Sequence, residues 1–369
     1  MSEKAWDAHA EELRDPHQMA SQWQGAGETD PALLRHRTRG PFWDLLAQLD
    51  VTLLVSREYE HLLISLAPGR RVGFLRLPHP SGIAVDAGAN RVHVAATRNP
   101  NQLFELAPMA DEGGSLVPLR SRFLPGRLYL HDLAMVGGQL HGNAVGQDAV
   151  VRLSYDDAGW ERVWWPNVVD DFEVNHLQLN SIAAGRDLRR SFFSASAARP
   201  GSRRPGQRNW PVDGRGVVFS GATGEPVAGG LTRPHSARFD GAGGLWVDNS
   251  GYGEVGRVAD GRFEPVATLP GWTRGLCFVG ELMAVSTSRV IPRFRNYAPG
   301  LDVERSVCGV HLLDPSEGRV VASLTWPAGN QVFAVEALPA SVTQGFPFRP
   351  GRGADAAVRD LFFNLEESQ

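Results

Sequence analysis

Cysteine is nearly absent from this sequence: two of its 369 residues are cysteines, Cys277 and Cys308, and both lie in apolar segments. Two such residues cannot form the disulfide framework of a small secreted protein, so we expect buried free thiols. No segment approaches the roughly eighteen consecutive apolar residues of a membrane span. The polar N-terminus, Met1–Asp7, also lacks the apolar stretch of a secretory leader. The sequence therefore predicts a cytoplasmic protein without a membrane anchor.

An excess of charge of either sign is missing as well. The 37 Lys and Arg residues against 41 Asp and Glu residues give a formal net charge of −4. Because no concentrated basic stripe is present, we predict no nucleic-acid partner. The glycine-rich stretch Gly241–Gly244 lies in a predicted hairpin turn rather than ahead of a helix, which argues against a phosphate loop. Ser250 is not followed by the strand-to-helix turn of a hydrolase nucleophile.

Glycine and proline, in contrast, are plentiful, with 41 and 25 residues that separate short apolar or alternating runs. Alternation with a period of two predicts strands rather than helices. Between about residues 50 and 340 these runs recur in five groups of four, which begin near Gly82, His131, Leu179, Ser236 and Arg274. The most regular group consists of Ser236–Asp240, Gly244–Asp248, Glu254–Ala259 and Arg262–Leu269.

Four further strands remain outside these groups: Gln331–Leu338 late in the chain, and Val51–Ser56, His61–Ala67 and Arg71–Leu77 early in it. One plus three strands complete a ring in which the last strand is the innermost strand of the first blade, and such closure removes exposed sheet edges. The sequence therefore predicts an all-β fold, a single β-propeller of six blades closed by its N-terminal strands. Seven blades are possible if the long third or fifth group contains two. A β-sandwich is the competing architecture, but the four-strand period argues against it.

Three regions follow from this prediction. Residues 1–40 are a flexible N-terminal extension, residues 41–340 the propeller and residues 341–369 a C-terminal tail. Pro41–Leu49 is predicted to be a short helix, because its apolar residues share one side. The stretch Ala198–Gly214 is rich in Arg, Gly and Pro and is predicted to be a long loop inside the third group of strands. A loop of this length suggests a role, such as that of a lid.

The segments that lead into the innermost strands share one face of a propeller with the loops between second and third strands. Four of the eleven histidines fall in these lead-in segments, and we expect them to converge on the channel axis: His79, His131, His176 and His235. A capping or hydrogen-bonding role is the ordinary alternative for each. Three imidazoles beside an open position are typical of a catalytic divalent metal. We therefore predict His131, His176 and His235 as ligands of iron, manganese, zinc or copper.

Other polar residues are predicted at the same mouth. His79 is a candidate acid or base, and Arg274 is a candidate to bind a substrate carboxylate or a developing negative charge. Asp132 could orient a metal ligand, although adjacent strand residues point to opposite faces. The predicted substrate-binding residues come from the remaining loops and strand starts: Arg98, Asn180, Ser236, Asn249, Ser250 and Arg289.

A series of motifs stands in order along these loops: Leu130–Ala134, Asn175–Ile182, Arg233–Phe239, Gly244–Glu254 and Pro270–Leu276. Together they resemble a family of uncharacterised bacterial propeller-like proteins. The resemblance implies a propeller and supplies no established reaction. The family pattern around His176 usually reads Cys-His-Leu-Asn-Gly, whereas this chain has Asn in place of the Cys and two residues before the next Asn. Near the final inner strand the family tends to carry an acidic residue, whereas this chain has Asn330-Gln331.

Three functions remain open. The leading prediction is a metal-dependent enzyme that acts on a small or peptide-derived substrate at the channel mouth, where the ion activates water, dioxygen or an enolisable substrate. The second is a non-catalytic module that binds a ligand or peptide there. The third is a metal-free lyase or hydrolase with His235 or His176 as general base and Arg274 as electrophile. Separated histidines would count against the first, because ligands of one ion lie at about 2.0–2.2 Å from it.

Overall fold

Short apolar runs separated by glycine-containing turns form antiparallel strands throughout the chain. The computed structural model describes residues 27–98, 100–109, 114–172, 175–207 and 209–350. In these residues the strands form six antiparallel sheets of four or five strands, which are the blades of a β-propeller. The innermost strands of successive blades contact one another around the central channel.

The first blades are built in chain order. The elements ahead of the ring are α1 (Pro31–Leu34), β1 (Arg37–Arg39) and α2 (Phe42–Gln48). Blade 1 takes from this end of the chain β2 (Val51–Arg57), β3 (Leu62–Ala67) and β4 (Arg71–Arg76). Blade 2 consists of β5 (Pro80–Asp86), β6 (Arg91–Ala96), β7 (Asn101–Pro108) and β8 (Leu116–Leu124). Blade 3 consists of β9 (Leu130–Val136), β10 (Gln139–Ala144), β11 (Ala149–Leu153) and β12 (Trp160–Trp164).

The remaining blades follow the same plan. Blade 4 consists of β13 (Leu179–Ala183), β14 (Phe192–Ala195), β15 (Gly216–Ser220) and β16 (Pro226–Leu231). Blade 5 consists of β17 (Pro234–Phe239), β18 (Leu245–Asn249), β19 (Glu254–Ala259) and β20 (Arg262–Thr268). Blade 6 consists of β21 (Trp272–Val279), β22 (Leu282–Ser288), β23 (Gly309–Asp314) and β24 (Arg319–Thr325). The last strand is β25 (Ala334–Pro339).

The ring closes as the sequence predicted. Strand β25 pairs antiparallel with β2, so that Pro339 lies opposite Val51 and Ala334 opposite Ser56. Blade 1 therefore takes its inner strand from late in the chain and its other three strands from early in it. The prediction of six blades is confirmed, and the long third and fifth groups are single blades with long loops. Every inner strand is thereby paired with the second strand of its own blade, β25 with β2 among them.

The core consists of layers of apolar side chains between adjacent blades. Leu54 and Leu63 of blade 1 pack with Ile83 and Val92 of blade 2, for example. Between blades 3 and 4, the ring centroids of Trp164 and Phe193 are 4.0 Å apart. Trp164 therefore packs between these two blades. Cys277 and Cys308 are free buried thiols, also as predicted.

The segments beside the ring pack on blades 1 and 6. The predicted helix Pro41–Leu49 is confirmed as α2, which buries Phe42, Trp43 and Leu46. In the predicted N-terminal extension, residues 1–26 lie outside the described residues, while β1 pairs with β24 as a fifth strand of blade 6. In the predicted tail, residues 351–369 lie outside the described residues, and the backbone N–H of Phe346 donates to Ser65 Oγ at 3.0 Å. No helix in the described part of the chain is long and apolar enough to cross a bilayer.

Candidate functional site

A cavity of about 920 Å³ opens at one mouth of the central channel. It is lined by the two kinds of segment that the sequence analysis placed on one face, the segments leading into inner strands and the loops between second and third strands. All six blades contribute, with Glu58 and Gln331 from blade 1, Arg98 from blade 2 and Arg274 from blade 6 among the lining residues. A volume of this size accommodates a typical small-molecule ligand.

A recurring turn brings side chains from successive blades to this mouth. The residue directly before the inner strand has a positive φ in four blades: His79 (43°), Tyr129 (50°), Gln178 (52°) and Arg233 (54°). Non-glycine residues seldom adopt this left-handed conformation, and it costs free energy wherever it occurs. The side chains of Tyr129, Gln178 and Arg233 all line the cavity. The turn therefore sets cavity-lining residues at matching points around the ring.

Two of the four predicted histidines occupy equivalent positions. His131 and His235 are each the second residue of an inner strand, β9 and β17, and both line the cavity. His79 instead takes the left-handed position before β5, and His176 lies before the left-handed turn that leads into β13. The predicted equivalence of the four histidines therefore holds only for His131 and His235. The lead-in turns differ from blade to blade, which alters the position of each histidine relative to its strand.

The imidazoles of His131 and His235 are neutral at pH 7. The two rings lie roughly parallel with their centroids 6.3 Å apart, and His131 also meets the ring of Phe333 edge-on at 5.3 Å. Burial, followed by the positive charge of Arg274, lowers the pKa of His131 to about 3. The same two causes place the pKa of His235 well below its usual value. Within the described residues, Nδ1 of His131 is buried and has no hydrogen-bond partner.

Arg274 is buried among aromatic rings. Its guanidinium carbon lies 3.5 Å from the centroid of the Phe333 ring and 5.5 Å from that of Trp272. It also donates a hydrogen bond to the side-chain oxygen of Gln331, whose amide nitrogen donates to Glu58 at 3.2 Å. Burial lowers the pKa of Arg274 to about 9, in spite of the attraction of Glu58. Among the described residues no carboxylate lies within 4.0 Å of this guanidinium.

Arg233 is a second buried arginine at the mouth. Its guanidinium carbon lies 4.1 Å from the centroid of the Tyr297 ring, and its Nη1 donates to Gln178 and, at 3.3 Å, to Ser196 Oγ. Burial lowers the pKa of Arg233 to about 10. No ion pair with a carboxylate of the described residues forms at this side chain. The cavity thus contains two buried cations that have no carboxylate partner among the described residues.

Glu58 is the one carboxylate among the described residues that line the cavity. Its Oε1 accepts a hydrogen bond from Thr97 at 2.6 Å and lies 3.3 Å from Nε of Arg98. Burial alone would raise the pKa of Glu58, but Arg98, His79 and Arg274 together lower it to about 2. Glu58 is therefore ionised at pH 7. The arginines that line the cavity outnumber it: Arg98, Arg127, Arg204, Arg233 and Arg274.

Of the residues predicted for the site, His131, His235, Arg98 and Arg274 line the cavity. His79 is buried beside it, with Nδ1 at 4.0 Å from Glu58 Oε1. The other predicted substrate-binding residues make structural contacts. Asn180 donates to the carbonyl of Pro234, Ser236 accepts from the N–H of Gly275, Asn249 accepts from the N–H of Thr232, Ser250 is buried in a 3-10 turn and Arg289 donates to the carbonyl of Pro327.

The predicted three-histidine metal site is not assembled. His176 is half-buried and does not line the cavity, and its backbone N–H donates to Asp148 Oδ2 at 2.5 Å. Searching the part of the chain that the structure describes finds no group of three His, Cys, Asp or Glu side chains placed to hold a metal. Asp132, proposed above to orient a metal ligand, pairs with Arg238 instead. With two imidazoles beside the positive charge of Arg274, these residues do not fit a divalent ion.

Several lining residues were missed from the sequence. The insert Ala198–Gly214 forms one wall through Arg204 and Trp210, and a 3-10 helix, Pro292–Tyr297, forms another through Phe294 and Tyr297. The sequence signal for the second wall was the unusual length of the fifth group, which was considered only as a possible extra blade. Arg233 and Glu58 carried no signal, because their importance depends on which charges surround them.

Most of the sequence matches the model of one protein family. Residues 40–345 match a domain of unknown function, DUF4915. The chain belongs to this family. The resemblance to an uncharacterised family is confirmed at that level, and membership of DUF4915 supplies no reaction. No curated protein matches the sequence.

The similar solved structures share little sequence identity with this DUF4915 chain. A chain from the nidogen/laminin complex has a TM-score of 0.54 at 11% identity, over 79% of this chain and 99% of that one. A protein of unknown function from Bacteroides caccae has a TM-score of 0.52 at 10% identity, over 78% of this chain and 98% of that one. A putative gluconolactonase has a TM-score of 0.48 at 18% identity, over 81% and 89% of the two chains. The first two similarities show the fold alone.

Proposed function

We propose that this propeller binds a small organic anion at the channel mouth. The observation that carries the proposal is the burial of Arg274 and Arg233 at the cavity wall without a carboxylate partner among the described residues. A buried cation without counter-charge is unfavourable, because desolvation is not repaid by an ion pair. An anionic group of a ligand would supply the missing charge, through hydrogen bonds that are stronger than those between neutral groups.

The polar groups beside the two arginines support the same ligand. Nε of Arg274 is buried without a hydrogen-bond partner in the described structure, as is Nδ1 of His131. Both nitrogens can donate, the imidazole in one of its two tautomers. Unsatisfied buried donors are rare in folded proteins and call for an explanation such as a bound ligand. A carboxylate or phosphate oxygen would satisfy them.

The walls would hold the rest of the molecule. Phe294 lies between Trp272 and Tyr297, with ring centroids 5.0 Å and 5.8 Å away. This row of rings provides an apolar surface beside the two guanidiniums, which favours a ligand with an apolar body and a charged end. A peptide with an acidic end has the same chemistry. The predicted small-molecule or peptide ligand is therefore narrowed to one that has an apolar body and a negatively charged end.

The test is a binding measurement on the full chain, with calorimetry of benzoate and benzamide as matched anionic and neutral probes. We expect benzoate to bind more tightly. Arg274→Gln should weaken benzoate binding by about tenfold or more, because a charged hydrogen bond is lost. Arg289→Gln, the same change at an arginine outside the cavity, is the control and should leave affinity unchanged. Equal affinities for benzoate and benzamide would refute the proposal.

A metal-free lyase or hydrolase is the second candidate function, favoured by the neutral imidazoles of His131 and His235 beside Arg274. An anion bound at Arg274 would offset the charge that lowers the pKa of both rings, and so would prepare one of them as a general base. If this is the function, His235→Gln should abolish turnover of an ester or lactone carrying a carboxylate while benzoate still binds. The metal-dependent enzyme is not proposed, because the residues do not fit the ion.

A further inference from the structure

The charges at the mouth also bear on the charge of the ligand. Arg98 and Glu58 form an ion pair at 3.3 Å and offset each other. Glu58 is also near enough to Arg274 to attract it, but Arg98 and Arg233 both repel that guanidinium. With Glu58 paired to Arg98, the positive charges of Arg233 and Arg274 remain. Both side chains are buried, with 4% of each residue exposed.

At a different site in the same channel, carboxylates of the chain itself match the charge of a buried arginine. Arg238, on the inner strand β17, binds both carboxylate oxygens of Asp132 at 2.8 and 3.1 Å and Glu336 Oε1 at 3.0 Å. Here two carboxylates surround one cation. At the mouth, Glu58 is paired with Arg98, and the buried guanidiniums of Arg233 and Arg274 have no carboxylate partner among the described residues. Two negative charges on a ligand would match these two buried cations.

The two cations lie against aromatic rings, Arg233 over Tyr297 and Arg274 over Phe333. A flat ligand that stacks on the row of Trp272, Phe294 and Tyr297 would thus have its substituents beside the guanidiniums. Arginine binds carboxylate and phosphate oxygens in pairs because of its planar fork of donors. A phosphate monoester and a pair of neighbouring carboxylates both present two charges in this way.

We infer that the cavity binds a flat organic dianion, a phosphate monoester or a 1,2-dicarboxylate on an aromatic body, with its charges held by Arg233 and Arg274. This inference rests on the proposed function. It adds the number of charges and the shape of the body.

The experiment is calorimetry on the full chain at a pH of about 7.5, where a phosphate monoester is mostly dianionic. The probes share one ring: phenyl phosphate, phthalate, benzoate and benzamide. We expect phenyl phosphate or phthalate to bind about tenfold or more tightly than benzoate. The dianion that binds more tightly shows whether the site prefers a phosphate group or two neighbouring carboxylates. Both results support the inference.

Other outcomes separate the inference from the proposed function. If both dianions bind no better than benzoate, but benzoate binds better than benzamide, the ligand is a monoanion and only the inference is overturned. If none of the anions binds better than benzamide, both are overturned. Methyl phosphate, which has the charge without the ring, should bind more weakly than phenyl phosphate. Equal binding of the two would overturn the aromatic body.

Variants test the charges directly. Arg233→Gln and Arg274→Gln should each reduce the preference for phenyl phosphate over benzoate to about threefold or less, because one cation remains. Glu58→Gln should act in the opposite direction and strengthen the binding of both anions, because it removes the negative charge of the lining. A variant that merely damages the cavity would not bind more tightly. An unchanged preference in both arginine variants would overturn the inference.

Discussion

Two buried arginine sites share the channel of this propeller and differ in their counter-charges. In the interior, Arg238 of blade 5 joins Asp132 of blade 3 and Glu336 of blade 1. At the mouth, Arg274 lies on Phe333 and has no ion pair within the described residues. The interior site is electrostatically complete and links three blades. The mouth site has no such carboxylates among the described residues, and we propose that a ligand supplies the opposite charge.

The comparison separates two uses of one residue type. A buried arginine whose charge is matched by carboxylates contributes to structure, since removing one partner leaves the other charged groups buried without a counter-charge. A buried arginine without such partners contributes little to stability and, under the proposed function, offers its charge to a ligand, as unsatisfied groups at functional sites often do. Each of the following predictions tests one side of this difference.

The largest effect is expected at the interior site. Arg238→Gln would leave the carboxylates of Asp132 and Glu336 close together without a cation, and should lower the free energy of unfolding by about 3–5 kcal/mol. Urea denaturation at neutral pH measures this, with Arg289→Gln as a control expected to change stability by less than about 1 kcal/mol. A loss at Arg238 no larger than that of the control would remove the distinction between the two sites.

A second effect at the interior site depends on pH. Burial, opposed by Arg238 and reinforced by Asp132, raises the pKa of Glu336 from 4.5 to about 7. Because the folded state keeps the proton longer than the unfolded state, this group makes the wild type lose stability as pH rises through that window. Glu336→Gln removes the titration.

The advantage of Glu336→Gln over the wild type should therefore grow between about pH 4.5 and 7, by up to about 3 kcal/mol. Parallel melting curves across this range give the difference, in which the opposite contribution of the buried histidines cancels. A constant difference across the range would contradict a raised pKa.

At the mouth, removing a cation should cost little. Arg274→Gln relieves repulsion from Arg233 and Arg98, and Glu58 keeps its contacts with Arg98 and Thr97. We expect the free energy of unfolding of the unliganded protein to change by less than about 1 kcal/mol. The same urea measurement decides the matter. A loss as large as that expected for Arg238→Gln would mean that Arg274 is structural and would break the comparison.

The smallest effect is expected at His176, which the sequence suggested as a metal ligand. Its backbone N–H donates the hydrogen bond to Asp148, and substitution of the side chain retains that donor. His176→Ala should therefore leave benzoate affinity and melting temperature almost unchanged, whereas His235→Ala, at the cavity wall, should alter the affinity. Calorimetry and melting of the two variants side by side provide the test. A large loss of affinity in His176→Ala alone would show that this histidine takes part in ligand binding.

The fold was largely predictable because it depends on local patterns. Glu254–Ala259 is a strand with the bounds that alternation and turns predicted. The closure of β25 on β2 followed from counting unpaired strands. Both kinds of reasoning use only short apolar runs and the requirement that sheet edges be paired, and neither depends on the direction of any particular side chain.

The site was less predictable because side-chain directions at the mouth do not follow the strand alternation. The pairing register shifts between His235 and Arg238 in β17, and between Thr273 and Leu276 in β21. Such bulges change which face a residue occupies. The position of the mouth was therefore predicted correctly, while the choice of histidines as its main feature was not supported, and the pairing of Asp132 with Arg238 was not foreseen.

Closure of the ring has a consequence for synthesis of the protein. Chains emerge from the ribosome N-terminus first, so Glu58 is made long before Gln331 and Phe333, which complete the wall beside it on the way into β25. Until then β2 has an open edge, which is a template for aggregation. The cavity wall is therefore complete only in a chain that has been translated through its final blade strand, and an interrupted chain leaves the edge of β2 unpaired.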